Sequence, residues 1–335
     1  MYNVERLDIG LTNNCNAKCP QCARTDPKTF KKYEWLPLDE LYIEDIKKIL
    51  PAEQLRKITS ISLCGTYGDP LVAKDIFQIL EYFFSCRPNL YLTIHTNGSM
   101  RNNKWWYKLC SILKNKNVTI IFGIDGIDQE SHSKYRINTS FEKILDHANI
   151  AKMHRIKIEW QFLMFDYNKN LLERAEKLSK QLNFDRFFTI ITDRPDVEGD
   201  FKIPDGLKPN GREEHNHLED EVSFIDCLSK NNKEVRISAS GLISPCCYLD
   251  HLFTSYQHFD QAMKIGSNFK SIPIKVIDKC KDDVEKMFED NSWHELDGKK
   301  HSLEGVLKSS WFDKLLKMHD NLEPFRCFNV CGKKT

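Results

Sequence analysis

No run of apolar residues in this chain approaches the about 20 that a membrane-spanning helix needs. The opening residues, MYNVERLDIGLTNNC, pass straight into a strand-like pattern and hold no signal-peptide core. These two absences lead to the expectation of a cytoplasmic protein with no membrane partner, in a compartment that keeps thiols reduced. An excess of one charge is also missing: 49 Lys and Arg stand against 48 Asp and Glu, a formal net charge of +1. Without a broad basic surface, nucleic acid is not expected as a partner. There is no internal repeat and no low-complexity tract, so a stacked-repeat architecture is excluded. Cysteine, by contrast, is abundant. The chain has 12, and they are clustered. In a reducing compartment clustered cysteines point to metal rather than to disulfides.

The 335 residues, 41% of them hydrophobic, suffice for one large α/β domain and a smaller one. Up to about residue 192, short runs rich in Ile, Phe, Val and Thr alternate with longer helical patterns. The strand candidates are Val4–Leu11, Ile58–Cys64, Leu90–His95, Val118–Ile124, Ile156–Phe165 and Arg186–Ile191. The helix candidates are Asp39–Leu50, Ala73–Ser85, Asn102–Leu113, Phe141–Met153 and Lys169–Leu182. In the fourth, Phe141, Ile144, Leu145 and Ala148 share one face, and Thr139 or Ser140 can cap it. Strands alternating with helices predict parallel pairing with right-handed crossovers, in a doubly wound sheet or a barrel. In both, chemistry sits at the carboxyl ends of the strands. Thr192–Val222, with Pro195, Pro204, Pro209, Gly199, Gly206 and Gly211 among many charges, reads as a linker or surface excursion.

The loop after the first strand places Cys15, Cys19 and Cys22 at x3 and x2 spacing. Thiolates this close can hold one iron–sulfur cluster or one zinc. No fourth cysteine is near, so a cluster held by these three would keep one metal corner open. A structural zinc site with a distant fourth ligand is the alternative at this point. The spacing resembles the Cys-x3-Cys-x2-Cys motif of the radical S-adenosylmethionine (radical SAM) superfamily. The resemblance implies a four-iron four-sulfur cluster whose open iron chelates the amino and carboxylate groups of S-adenosylmethionine. The residue before the third Cys is often aromatic in that family; here it is Gln21.

Further motifs follow in family order. Gly65-Thr66-Tyr67-Gly68-Asp69-Pro70, after the second strand, resembles the family's Gly-Gly-Glu-Pro, with Tyr67 in place of Gly and Asp69 in place of Glu. Its backbone is implied to hold the methionine amino group. Thr96-Asn97-Gly98 ends the third strand and resembles the family's Thr-Asn-Gly. Gly123-Ile124-Asp125-Gly126 ends the fourth, and Arg136 follows. By resemblance Asp125 meets the ribose and Arg136 the cofactor carboxylate, a role suited to the two-pronged guanidinium. Each motif read by itself is equally an ordinary surface loop. The resemblance covers residues 4–192 and implies a partial (β/α)6, TIM-like barrel.

A second set of cysteines lies beyond. Cys227 is followed by thirteen residues, Gly241, four residues and Cys246; Cys327-x3-Cys331 comes near the end. Glu234–Tyr248 reads as a β-hairpin turning near Ser240-Gly241, and Ser302–Phe312 as a helix. A zinc site made of the four thiols is one reading. The other is a resemblance to the SPASM and twitch domains of radical SAM enzymes, in the shorter, single-cluster twitch form. It implies one auxiliary 4Fe–4S cluster on Cys227, Cys246, Cys327 and Cys331, with Cys247 the alternative to Cys246. Cys64, Cys86, Cys110 and Cys280 read as buried or incidental thiols, and His215 and His217 as solvated residues of the linker. The division expected is a core of residues 1–192, a linker of 193–226 and a cysteine-rich domain of 227–335.

The resemblance implies an enzyme, broadly an oxidoreductase or a peptide-modifying one. An external electron donor such as a flavodoxin or ferredoxin reduces the first cluster, and the 5′-deoxyadenosyl radical takes hydrogen from the substrate. A peptide side chain is the leading substrate. Dehydrogenation or epimerisation of a small molecule such as a sugar is the alternative. A non-catalytic iron–sulfur or zinc scaffold is the rival of another class.

Overall fold

The structure, a computed structural model, describes residues 3–192, 194, 199, 201–208, 223–257, 282, 284–287, 292–321, 327 and 331–333. Cys280, His215, His217 and most of the expected linker lie outside the described residues.

All six expected strands form: β1 (Arg6–Ile9), β2 (Ser60–Leu63), β3 (Tyr91–Thr96), β4 (Val118–Gly123), β5 (Lys157–Leu163) and β6 (Arg186–Ile190). They neighbour one another in chain order and pair in parallel, for example Leu7 with Ile61 and Ile94 with Ile120. The sheet does not close on itself, so the architecture is the open, partial barrel. Alternation sorts each strand into two faces. Leu7, Ile9, Ile61, Leu63, Leu92, Ile94, Phe122, Trp160 and Phe162 are buried in the main core. There they meet Ile79, Leu80, Phe83, Trp106, Leu109, Ile144 and Ala148 of the intervening helices. Each fully buried large side chain contributes about 1.5–3 kcal/mol, and together they fix the register. The positions between them, Asp8, Ser62, Thr93, His95 and Gln161, are only partly buried and line the other face. The inner face of the barrel is therefore polar.

The helices are α1 (Ile43–Ile49), α2 (Ala52–Leu55), α3 (Ile76–Cys86), α4 (Asn103–Leu113), α5 (Gln129–Ser133), α6 (Phe141–Met153) and α7 (Leu172–Gln181). Ser140 caps α6 by accepting from the Lys143 amide at 3.3 Å, and the Asn102 side chain caps α4 through Trp105 at 3.0 Å. The first helix starts later than its pattern predicts. Asp39–Leu41 instead runs beside the cysteine loop, where the Leu41 amide donates to the Leu11 carbonyl and the Asn13 amide to that of Asp39.

In the C-terminal part, β8 (Glu234–Ile237) and β9 (Ile243–Ser244) form the expected hairpin, turning through Gly241 at φ +93°. The hairpin is not separate from the core sheet. β8 pairs in parallel with β1, Leu7 opposite Val235, and the sheet runs β6-β5-β4-β3-β2-β1-β8-β9. A small antiparallel pair joins β7 (Phe224–Ile225) to β10 (Gly332–Lys333). The helices of this part are α8 (Leu228–Asn231), α9 (Cys247–Gln257), α10 (Leu303–Leu307) and α11 (Ser310–Asp320). The single helix expected over Ser302–Phe312 is thus two. Ser302 caps α10 through Gly305, and the Glu295 carboxylate starts α11 by accepting from Ser310 and Trp311. No helix among the described residues is long and apolar enough to cross a membrane.

Candidate metal centre and cofactor site

The three N-terminal cysteines leave β1 at its carboxyl end and fold into one pocket. Cys19 is buried with Ala17, Tyr135, Leu163 and Phe165, and Cys15 and Cys22 pack against them. The Cys22 amide donates to the Cys19 carbonyl at 3.0 Å, which curls the loop that carries the three thiols. Burial raises the Cys15 thiol far above its ordinary range, with the Asp69 carboxylate adding to it. Burial also lifts Cys19, to about 11, against the opposing pull of Arg136. Metal-free, the Cys15 and Cys19 thiols stay protonated, and a metal must displace those protons. Two donors already point at the sulfurs: Asn97 Nδ2 is 3.6 Å from Cys15 Sγ, and Arg136 Nη1 is 4.0 Å from Cys19 Sγ. A desolvated trio of soft donors flanked by N–H groups suits an iron–sulfur cluster, whose sulfurs are tuned by such contacts.

The loop after β2 and the end of β3 are knitted by one carboxylate. Asp69, 4% exposed, accepts from Thr96 Oγ1 at 2.9 Å, the Asn97 amide at 2.8 Å, Asn97 Nδ2 at 2.7 Å and the Leu71 amide at 3.0 Å. Burial raises its pKa, and the Asn97 and Leu71 amides oppose that rise. The Asp69 amide in turn donates to Asn14 of the cysteine loop at 2.9 Å. Gly68 lies so close to the Thr12 and Asn14 carbonyls that a Cβ there would collide with them. Gly68 and Asp69 therefore pack on the backbone of Thr12 and Asn14, just ahead of Cys15. Gly98, at φ +67°, has no room for a Cβ against the Phe122 ring.

At the end of β4, Asp125 is fully buried. Its carboxylate accepts from Arg136 Nε at 2.6 Å and from the Leu163 amide at 2.7 Å. Both oxygens are thus occupied within the protein, and Asp125 aims the Arg136 guanidinium toward Cys19. His132 supports this corner. Its Nδ1 accepts from the Asp125 amide at 3.3 Å, so Nε2 carries the proton and donates to Thr139 Oγ1 at 3.0 Å. Burial pushes its pKa down to about 3, helped by Arg136, and the ring is neutral.

Composition and spacing did not reveal the aromatic wall beside the thiols. Tyr135, Phe165, Tyr167 and Phe201 form it, with Tyr135 and Phe165 centroids 4.7 Å apart and Phe165 stacked on Tyr167 at 5.7 Å. The hydroxyls of Tyr135 and Tyr167 are buried and have no hydrogen-bond partner among the described residues. Gln21 links this wall to the cysteine loop by donating to the Phe201 carbonyl at 3.4 Å. The one available signal was the repeated aromatic residues of Phe165-Asp166-Tyr167 just past a strand end.

The second cysteine group gathers at the other end of the chain. The β7–β10 pairing and an Asp226 amide to Cys331 carbonyl bond of 2.8 Å bring Cys227 beside Cys331. Cys246 sits where the hairpin enters α9. Burial lifts its thiol to about 12, and Cys247 and Cys227 add to the rise, which sets these three close together. Cys327 and Cys331 are buried, whereas Cys247 is exposed. No disulfide joins two cysteines among the described residues. No three His, Cys, Asp or Glu side chains among the described residues already close to a metal-binding shell. Cys15, Cys19 and Cys22 share one apolar cluster, and Cys227, Cys246 and Cys331 lie on neighbouring C-terminal segments.

The family model for the radical SAM superfamily matches residues 9–178. The GTP 3′,8-cyclase of Campylobacter curvus is 25% identical over 283 residues, 74% of this chain and 81% of that protein. That of Aliarcobacter butzleri is 22% identical over 331 residues, 88% of this chain and 93% of its own length. Among solved structures, Streptococcus suis SuiB bound to S-adenosylmethionine superposes with a TM-score of 0.55 at 16% identity over 74% of this chain. The chain spans 61% of the length of SuiB. Native anSMEcpe with bound AdoMet and a Kp18Cys peptide gives a TM-score of 0.55 at 13% identity, covering 98% of this chain and 88% of that one.

Proposed function

The chain belongs to the radical SAM superfamily, and on that premise we propose that Cys15, Cys19 and Cys22 hold the cluster at which S-adenosylmethionine is reductively cleaved. The chain is an enzyme of that superfamily, whose cofactors are S-adenosylmethionine and a four-iron four-sulfur cluster. When bound, they supply one-electron cleavage of a carbon–sulfur bond and a carbon radical that abstracts hydrogen.

The chain's own residues hold and shield that chemistry. The backbone of Gly65–Gly68, whose last glycine packs on the start of the cysteine loop, receives the methionine end of the cofactor. Arg136 presents its free fork to the cofactor carboxylate while Asp125 grips its Nε at 2.6 Å. Asp125 thereby acts by orienting Arg136. Thr96 and Asn97, tied through Asp69, hold the Asn97 amide over Cys15. Tyr135 and Tyr167 offer hydroxyls with no hydrogen-bond partner among the described residues, and apolar faces that keep water from the pocket. Cys227, Cys246, Cys327 and Cys331 hold one auxiliary cluster in the cysteine-rich domain of residues 227–335, able to take an electron from a substrate radical. A small external protein such as a flavodoxin or ferredoxin delivers the first electron.

The substrate is a peptide side chain. Two observations support that reading. A structural neighbour covering almost the whole chain carries a peptide. The buried guanidinium of Arg236 is met by Asp8 and Asp250, and that of Arg136 is assigned to the cofactor carboxylate, which leaves neither as a dedicated phosphate clamp. A second reading, a purine nucleotide, is favoured by the GTP 3′,8-cyclases aligned along most of the chain.

The test is anaerobic reconstitution and reduction, with 5′-deoxyadenosine counted as product. Replacing Cys15, Cys19 and Cys22 together with Ala should abolish it, and unchanged product in that variant overturns the assignment. Product formation stimulated by GTP, with GTP consumed, would replace the peptide reading by the nucleotide one.

A further inference from the structure

The loop after β2 is not held by the core alone. Two side chains from the C-terminal part reach it. Arg236 of β8, 3% exposed at its side chain, sends Nη1 to the Cys64 carbonyl at 2.6 Å and Nη2 to Thr66 Oγ1 at 3.2 Å. Its charge is met by Asp8 at 2.8 Å and Asp250 at 3.3 Å, so the guanidinium is fixed on three sides. β1 makes room for it: a Cβ on Gly10 would stand 2.5 Å from Arg236 Nη2. One residue past Asp250, His251 of α9 puts Nδ1 2.5 Å from the hydroxyl of Tyr67, which is 4% exposed. Thr66 and Tyr67 are neighbours in the segment assigned to the methionine end of the cofactor. A loop of this kind has several backbone states, and one pre-formed state binds with less ordering cost.

We propose that Arg236 and His251 are positioning residues for S-adenosylmethionine: the C-terminal part holds the Cys64–Asp69 loop in its binding-competent shape. The device rests on the cofactor assignment given above. It also gives the two cysteine groups a physical connection. Asp250 and His251 lie on the first turn and a half of α9, directly after Cys246, and the Asp250 amide donates to the Cys246 carbonyl at 3.0 Å. Whatever holds Cys246 therefore sets where these two side chains stand.

The experiment uses the full chain and S-adenosylmethionine itself. Tyr67→Phe and His251→Phe each remove one end of the Tyr67–His251 bond and keep a ring in place. Arg236→Lys keeps the charge that Asp8 and Asp250 require but loses the fork to Cys64 and Thr66; Thr66→Val removes one contact only. Three readouts are taken: amide hydrogen exchange across residues 64–71 of the metal-free chain, affinity of the reconstituted protein for S-adenosylmethionine, and the change that the cofactor makes in the electron paramagnetic resonance of the reduced cluster. Each of the Tyr67 and His251 variants should exchange faster in this segment and bind the cofactor about 5-fold to 10-fold more weakly, with iron content unchanged. The Tyr67→Phe/His251→Phe double variant should be no worse than either single one, because both changes remove the same bond. Arg236→Lys should behave in the same direction, with a resonance change that saturates at higher cofactor concentration. Unaltered exchange in all variants overturns the tether. Faster exchange with unaltered affinity, or additive losses in the double variant, overturns the positioning role. A wild-type protein that binds no S-adenosylmethionine, yet shows the exchange differences, instead overturns the cofactor assignment and the inference with it.

Discussion

Asp125→Asn is the most informative single substitution in the core, because it changes one atom in a fully determined corner. In the native protein the carboxylate meets Arg136 Nε at 2.6 Å and the Leu163 amide at 2.7 Å, with Asp125 wholly buried and the Arg136 side chain 15% exposed. Asparagine can keep the bond to Leu163 through its oxygen, but then it turns an NH2 toward Nε, donor against donor. The guanidinium is left buried without its counter-charge, at a cost of about 3–5 kcal/mol. Against a total stability on the order of 5–15 kcal/mol, that loss is large. Arg136→Met is the mirror case. It leaves the carboxylate unpaired, and burial then favours its protonation, so this variant's deficit should shrink as pH falls. The double variant removes both charges and should cost less than the sum of the singles by about 2–3 kcal/mol. Urea unfolding of the four proteins, prepared and reconstituted identically, measures this coupling. Additivity within about 0.5 kcal/mol would refute the claim that Asp125 exists to hold Arg136.

Other expectations follow from the same geometry. Because burial holds the folded pKa of His132 near 3, below its ordinary 6.5, the unfolded chain binds the proton first as pH drops. The contribution of His132 is complete above about 6.5 and is lost toward 3, by up to about 1.4 kcal/mol per pH unit; a His132→Asn protein should show a shallower acid limb in its unfolding profile. Gly98→Ala should destabilise the protein by about 1–3 kcal/mol, since a Cβ would sit in left-handed backbone and against Phe122; a thermal midpoint equal to wild type argues against it. If one auxiliary cluster is present, the wild type should bind about eight irons per chain and the Cys15/Cys19/Cys22 triple variant about four. Adding Cys327→Ala should remove or loosen the remainder, whereas Cys247→Ala, at an exposed thiol, should be nearly silent. Zinc in the triple variant would instead make the second region a structural site.

What could be read from the sequence depended on how local its cause was. The six strands and helix α6 announced themselves because β-branched runs, the 3.6-residue period and a capping Ser140 act within a few residues. Helix α5 did not, since five polar residues carry no period. The first helix was overextended because the 39–41 segment pairs with the cysteine loop, a contact no local pattern encodes. The Glu234–Tyr248 hairpin was legible from its turn, but its parallel docking on β1 joins segments separated by most of the chain. Arg236 was hidden for the same reason. In Glu234-Val235-Arg236-Ile237 it occupies the alternate position that usually faces water, and only the fold shows that two carboxylates await it. The cysteine spacings singled out both candidate sets of thiols, whereas the engagement of Asp69 and Asp125 by their neighbours needed the three-dimensional arrangement.

The pairing of β8 with β1 also bears on how the protein is made. Until β8 arrives, β1 has β2 on one side and an unsatisfied row of amides and carbonyls on the other. During synthesis Arg6–Ile9 emerges long before Glu234–Ile237, and at about 5–20 residues per second the wait is on the order of ten seconds or more. Over that interval the nascent chain exposes a strand edge with Leu7 and Ile9 on it, next to three unmetallated thiols. Such an edge invites pairing with another chain. A fragment ending before residue 223 would keep the edge open for good and should be recovered mainly in aggregates, so the hairpin works as an intramolecular guard for the strand that carries the cysteine loop.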